Sequence, residues 1–241
     1  MLLEIEGKFM KVYAISDLHL SLSVDKPMNI FGPVWENYLE DIEKDWNKKV
    51  SAEDIVLIAG DISWAMRFDE AKNDLKYLKS FKGNKVFIKG NHDYWWNSIS
   101  ALRAELDNKT FALQNDAIKI GNYVICGSRG WTAKENGKFK SADDEKIYKR
   151  ELIRMELSLK NGRALMNDGD NLIVMQHYPP MNNKCEKNEF TELFEKYGVN
   201  KVVYGHLHAY DKGYKMKFTK NKIQYILTSC DLIGNKLVKI Y

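Results

Sequence analysis

The chain has 241 residues, 44% hydrophobic, 29% charged and 12% aromatic, with a formal net charge of +4. That balance is ordinary for a folded globular protein and excludes disordered, collagen-like and coiled-coil readings. The longest apolar runs, such as 55–59, fall far short of the roughly 20 residues a membrane span needs. No repeat, low-complexity stretch or Pro/Ser-rich linker divides the sequence, so 1–241 reads as a single domain.

Residues 1–9 contain Glu4 and Glu6, lack a basic cluster and a small-residue cleavage site, and read as an N-terminal extension rather than an export signal. Three widely spaced cysteines, Cys126, Cys185 and Cys230, form no metal or disulfide framework. Free thiols and a cytoplasmic location are the expectation.

A β-branched run at 12–16 opens the ordered pattern as a buried strand. Trp35, Tyr38, Leu39, Ile42 and Trp46 then form one apolar helical stripe. Further strands are predicted at 55–59, 86–88 and 123–126, the last following a Gly121-Asn122 hairpin turn. Residues 129–170 stand apart as an excursion or cap, with ten Lys or Arg against six Asp or Glu between 129 and 163. Within them Tyr148, Leu152, Met155 and Leu159 mark a helix, with Ser141 and Asp144 as its start signal. A strand at 172–175 and a helical stripe, Phe190, Leu193, Phe194 and Tyr197, follow, and Gly198 stops the helix. Strands at 202–204, 224–229 and 237–240 close the chain, with a hairpin turning near Lys220-Asn221. Nearly continuous apolar strands alternating with helices describe an α/β layered fold.

All five histidines follow a predicted strand within a few residues. The first strand leads into Asp17-x-His19, the second into Gly60-Asp61, and the third into Gly90-Asn91-His92-Asp93. Met175-Gln176 leads into His177, and Tyr204 into Gly205-His206-x-His208. Strand ends of open α/β sheets are where ligand sites form, so these groups can converge. Imidazole with carboxylate and no thiolate suits Mn, Fe, Co, Ni or Zn. Asp17, His19, Asp61, Asn91, His177, His206 and His208 make seven donors, more than one ion needs. Two transition-metal ions sharing a carboxylate fit that number, a device for phosphoryl transfer.

In this order the blocks resemble the calcineurin-like metallophosphoesterase superfamily, over about residues 11 to 210. The resemblance implies a four-layer α/β/β/α sandwich of two mixed sheets, with the metals at the C-terminal ends of the strands. It further implies that Asp17, His19, Asp61 and His208 hold one ion and Asp61, Asn91, His177 and His206 the other, Asp61 bridging. Gln176 stands before His177 where many members have glycine, a change that touches loop shape more than ligation.

The expected activity is metal-dependent hydrolysis of a small-molecule phosphate ester, whether diester, monoester or pyrophosphate, and nucleotide-like esters are candidates. A metal-activated hydroxide is the nucleophile. His92, outside the ligand set, stabilises the phosphoryl oxygens or protonates the departing alkoxide, and Asp93 orients its imidazole. Arg129 is a candidate phosphate contact, and Trp64 and Tyr94 are candidate stacking residues; for these two as for Trp95 and Trp96, core under the loops is the commoner role and stacking the minority reading. Lys212, Lys215, Lys217, Lys220 and Lys222 read as protection of an edge hairpin, with a nucleic-acid track as the minority alternative. A nuclease and a non-catalytic metal-binding scaffold are the competing functions. No protein partner is inferable.

Overall fold

The structure, a computed structural model, describes residues 10–135, 137–208 and 215–241; the 1–9 extension and Lys212 of the lysine stretch lie outside them. Among the described residues the strands are β1 (Val12–Ile15), β2 (Ile55–Ile58), β3 (Asn84–Ile88), β4 (Thr110–Leu113), β5 (Ala117–Ile120), β6 (Tyr123–Ser128), β7 (Asn171–Gln176), β8 (Lys201–Tyr204), β9 (Lys217–Lys220), β10 (Ile223–Leu227) and β11 (Val238–Lys239). The helices are α1 (Tyr38–Lys49), α2 (Phe68–Ser80), α3 (Ile99–Ala104), α4 (Ala142–Leu165) and α5 (Glu189–Lys196). Two short 3-10 helices, Met28–Phe31 and Pro33–Trp35, precede α1.

One sheet has the order β11-β1-β2-β3-β4 and the other β5-β6-β7-β8-β10-β9. Within the first, β1 to β4 pair parallel and β11 is antiparallel. Within the second, β6, β7, β8 and β10 pair parallel, with β5 and β9 antiparallel at the edges. Alternate side chains of each strand enter different layers. Val12, Ala14, Ile55, Leu57, Val86 and Ile88 meet Ile125, Ile173, Met175, Val203 and Ile226 between the sheets. The intervening Tyr13, Ile15, Val56, Ile58 and Phe87 pack outward against Trp46, Leu75 and Leu102 of α1, α2 and α3. On the far side Val124, Cys126, Val174 and Val202 meet Met155 and Leu159 of α4 and Phe190 and Phe194 of α5. The result is the α/β/β/α sandwich. Covering on both faces explains why the strand sequences read as unbroken apolar runs.

Most expected elements coincide with these. Trp35, however, sits in the second 3-10 helix, and α1 begins only at Tyr38, after Asn37 takes a left-handed φ of 53°. The hairpin between β9 and β10 turns at Asn221-Lys222, both with positive φ, one residue beyond its expected centre. Three elements have no counterpart in the sequence reading: α2, α3 and β4. α2 presents a thin stripe, Ala71, Leu75 and Leu78, interrupted by the buried Asp74. The other two are six and four residues long, too short to show a period.

Helix α4 lies along β5 and β6 and covers the outer face of the second sheet. Edge strand β9 carries Lys217 and Lys220, a charge pattern that discourages pairing with another sheet. No described helix is long and apolar enough to cross a membrane.

The approach of α4 to β6 depends on Gly162, where an added Cβ would run into Cys126 Sγ. Gly162→Ala is therefore expected to destabilise the fold by about 1–3 kcal/mol through overpacking, despite a helix-propensity gain of up to about 1 kcal/mol. Adding Cys126→Ala should restore most of the loss, a coupling read from denaturant midpoints of the four variants.

Candidate metal centre

Parallel strands from both sheets end at one edge. The loops after β1 and β2 continue side by side there: Asp17 N–H donates to Gly60 O at 3.0 Å, His19 N–H to Asp61 O at 3.0 Å and Leu20 N–H to Ile62 O at 2.9 Å. Ser16 N–H donates to Thr228 O at 2.8 Å and Cys230 N–H to Ser16 O at 3.1 Å, which joins the end of β1 to the end of β10 across the two sheets. Asp17, His19, Asp61 and His206 all adopt left-handed backbone, with φ of 59°, 46°, 53° and 72°. Asp and His tolerate that region better than most residues. The reversals turn these four side chains toward one point.

Asp17, His19, Asp61 and His208 form one cluster, their ligand atoms within 4.8 Å of one another. His208 Nε2 lies 3.5 Å from Asp17 Oδ1 and 3.3 Å from His19 Nε2. His19 Nε2 lies 3.8 Å from Asp61 Oδ2. Next to it stands a second group. Asn91 Oδ1 is 2.7 Å from both His177 Nε2 and His206 Nδ1, and His177 Nε2 is 3.5 Å from Asp61 Oδ2. Asp61 belongs to both groups. All seven residues singled out as ligands in the sequence thus meet at this edge.

Surrounding groups hold these side chains. His177 Nδ1–H donates to Ala59 O at 2.9 Å and His208 Nδ1–H to Asp231 Oδ1 at 3.1 Å, which turns each Nε2 inward. Asp17 accepts from Ser16 Oγ at 2.6 Å and, through both oxygens, from His206 N–H at 3.1 Å. Asp61 Oδ1 accepts from His92 N–H at 2.8 Å, while its Oδ2 is buried and has no hydrogen-bond partner.

Burial pushes Asp61 up to about 9, reinforced by the charges of Asp17 and Asp93. Burial also opposes charge on Asp17, yet its bond with His208 and the neighbouring imidazoles hold it below the usual carboxylate range. Burial lowers His19 to about 3, His177 to about 4 and His206 to about 3. Burial acts against charge on His208 as well, but Asp17 and Asp231 raise it to about 10. Because Ala59 O can only accept, the His177 proton sits on Nδ1. Its Nε2 lone pair therefore faces Asn91 Oδ1 and the unpartnered Asp61 Oδ2. A buried convergence of nitrogen and oxygen lone pairs fits transition-metal cations.

His92 stands at the edge of the cluster, half-buried, its ring 4.4 Å from Trp64 and 5.6 Å from His19. The expectation that Asp93 orients this imidazole needs correction. Asp93 is fully buried and accepts from the backbone N–H groups of Ile62 (2.8 Å), Ser63 (3.1 Å) and Gly90 (2.7 Å) and from Trp95 Nε1 (3.0 Å), not from His92. Its oxygens are taken up in tying the β2 loop to the β3 loop.

Arg129, the candidate phosphate contact, is held between an aromatic ring and a carboxylate. Its guanidinium lies 4.8 Å over the Trp131 ring and 3.6 Å from the buried Glu151, which Arg154 approaches to 2.7 Å. Its backbone meets the site directly, where Arg129 O accepts from His177 N–H and Tyr178 N–H, both at 3.1 Å. Trp64 stacks on His19 at 4.6 Å and gives its indole N–H to Met28 Sδ at 3.1 Å. Tyr94 is exposed, and Trp95 and Trp96 are core residues. Gln176 is buried and donates to Tyr178 O at 3.0 Å, shaping the loop after His177. Asp231 was invisible in the sequence because it lies 23 residues beyond His208 with no spacing rule to connect them.

The family model described as calcineurin-like phosphoesterase matches residues 10–210. An uncharacterized protein of Methanocaldococcus jannaschii is 34% identical over 84 residues, 34% of this chain and 47% of that protein, so the chain spans about half the length of the curated relative it matches. Among solved structures, a Thermus thermophilus protein has a TM-score of 0.54 at 12% identity, covering 95% of this chain and 97% of its own. The phosphopantetheinyl hydrolase of Mycobacterium tuberculosis has a TM-score of 0.52 at 13% identity, covering 95% of each chain. At those identities the likeness concerns the fold.

Replacing Asp231 by Asn should leave the fold intact and weaken metal binding about 10–100-fold, the usual cost of losing a carboxylate behind a histidine. Competition with a chromogenic chelator measures this, and unchanged affinity would remove Asp231 from the site.

Proposed function

The chain belongs to the calcineurin-like phosphoesterase family, and from that premise we propose that it hydrolyses small-molecule phosphate esters at a two-metal centre. Asp17, His19, Asp61 and His208 would hold one ion, and Asp61, Asn91, His177 and His206 the other. The observation that carries this reading is the buried, unpartnered Asp61 Oδ2, set between His19 Nε2 at 3.8 Å and His177 Nε2 at 3.5 Å. A carboxylate oxygen flanked by ring nitrogens from both groups is suited to a bridging role. When bound, the ions supply Lewis acidity at the phosphoryl oxygens and acidify a water that serves as nucleophile.

The protein's own groups do the rest. Asp17 and Asp61 offset the ions' positive charge, and the hydrogen bonds from Ser16, His92 and His206 fix their carboxylates. Ala59 and Asp231 hold two imidazoles in the tautomer that turns Nε2 toward the centre. His92 contributes a ring N–H at the open side of the cluster. In the reaction a new P–O bond forms from water and the ester P–O bond breaks. The departing alkoxide takes a proton as it leaves, and His92 is the nearby group able to donate to it or to a phosphoryl oxygen.

Metal-stripped protein should be inactive on chromogenic phosphodiesters and monoesters and regain turnover with Mn²⁺, with two ions bound per chain by elemental analysis. One ion or none would overturn the two-metal reading. His92→Asn should keep both ions and lower turnover by roughly 10²–10⁴-fold. If metal content falls with activity, His92 is a ligand and its assigned role is wrong.

A further inference from the structure

Beside the metal centre lies a cavity of about 650 Å³ whose inner wall is made by His19, His92 and His208. Its remaining lining is Met28, Phe31, Val34, Trp35, Trp64 and Leu232, with Asp231 behind His208. Among the described lining residues every carboxylate and imidazole belongs to the metal centre or its edge, and the rest present hydrocarbon, thioether or the indoles of Trp35 and Trp64. The Trp64 indole N–H is already given to Met28 Sδ.

The outer wall is built from the two 3-10 helices. Gly32, with φ of 124°, ends one and starts the other, which turns Phe31 and Val34 outward at the mouth. Phe31 is 63% exposed and Val34 38%, and neighbouring Ile30 is 72% exposed. These residues are nevertheless fixed in place. Asn235 Nδ2 donates to Val34 O at 2.8 Å, and just beyond the segment Tyr38 OH donates to His19 O at 3.1 Å. An exposed apolar rim pinned to the metal centre has no structural use as core.

Resting on the phosphoesterase reading, we infer that this cavity holds the leaving group of the substrate, and that the leaving group is a hydrocarbon chain. His92 lines the cavity, so an alcohol whose chain lies there departs next to the residue assigned to protonate it. A nucleobase fits the wall poorly. Away from the histidines the described lining (Met28, Phe31, Val34 and Leu232) offers its ring nitrogens and exocyclic groups no side-chain oxygen or nitrogen, and a buried polar group left unpaired weakens binding. An alkyl chain loses nothing there, and each methylene it buries adds to affinity.

The test titrates n-alkylphosphonic acids, from methyl to octyl, into Mn²⁺-loaded protein, read by tryptophan fluorescence and calorimetry. Affinity should climb with length, by up to about fourfold per methylene until the cavity is filled; a flat series overturns the inference. Phe31→Ser and Val34→Ser alter exposed side chains, so the fold survives. Each should cut the octyl-over-methyl affinity ratio by about tenfold, and an unchanged ratio overturns the assigned cavity. A matching series of n-alkyl phosphates separates the two readings. Hydrolysis without chain-length dependence sinks the leaving-group inference and keeps the phosphoesterase reading. Chain-dependent binding with no hydrolysis under any metal keeps the hydrocarbon cavity and sinks the catalytic reading on which its leaving-group role depends.

Discussion

Two buried carboxylates, Asp17 and Asp61, set the terms for the whole edge of the molecule where they meet. Side by side out of water they cannot both ionise unless positive charge lies between or beside them. Three of the four surrounding imidazoles are held neutral by burial, with lone pairs for the cations the family employs. His208, between Asp17 and Asp231, is raised instead, and a bound cation would take the place of the proton on its Nε2. The centre is thus a negative, acceptor-rich cavity within an apolar sandwich, stable in proportion to how well its neighbours fix it.

Fixing it requires the strands of both sheets to end together. The backbone bonds from Ser16 to Thr228 and from Cys230 to Ser16 bring β1 against β10, so that loops from different sheets share one rim. Two glycines permit the close approach. A Cβ at Gly90 would strike Asp61, and one at Gly205 would strike Asp17 and Ser16. Left-handed backbone at four non-glycine site residues costs roughly 1–2 kcal/mol apiece. The ladder continued between the 17–20 and 60–64 loops offsets that strain, and the strain is what aims the side chains.

Much of this was legible in the sequence because the chemistry coincides with the strand pattern. Every histidine follows an apolar run, so the strands and the seven donors could be read together, and the resemblance to the family rests on those same residues. What was not legible depends on distance across the fold. Asp231 meets His208 only because β10 lies beside β8. Trp64, Trp95 and Trp96 are alike in sequence, yet one borders the metal centre and two lie in the core. Helix α2 hid because a buried Asp74, accepting from Leu22 N–H and bonded to Ser63, interrupts its apolar stripe.

Asp93 shows how a motif can be read correctly as a block and wrongly as a mechanism. Its place directly after His92 suggests a partner for the imidazole. Three backbone N–H groups and an indole are the donors that reach its oxygens, three of them on Oδ1 and Gly90 N–H on Oδ2, and the His92 ring is not among them. What Asp93 does is hold the β2 and β3 loops in register, and this keeps Asp61 and Asn91 at hydrogen-bonding range of their neighbours. His92 is positioned instead through its own backbone, which donates to Asp61, and through the face of Trp64. Its ring is thereby left facing the aromatic and aliphatic wall of the adjoining cavity, with the Trp64 face against one side.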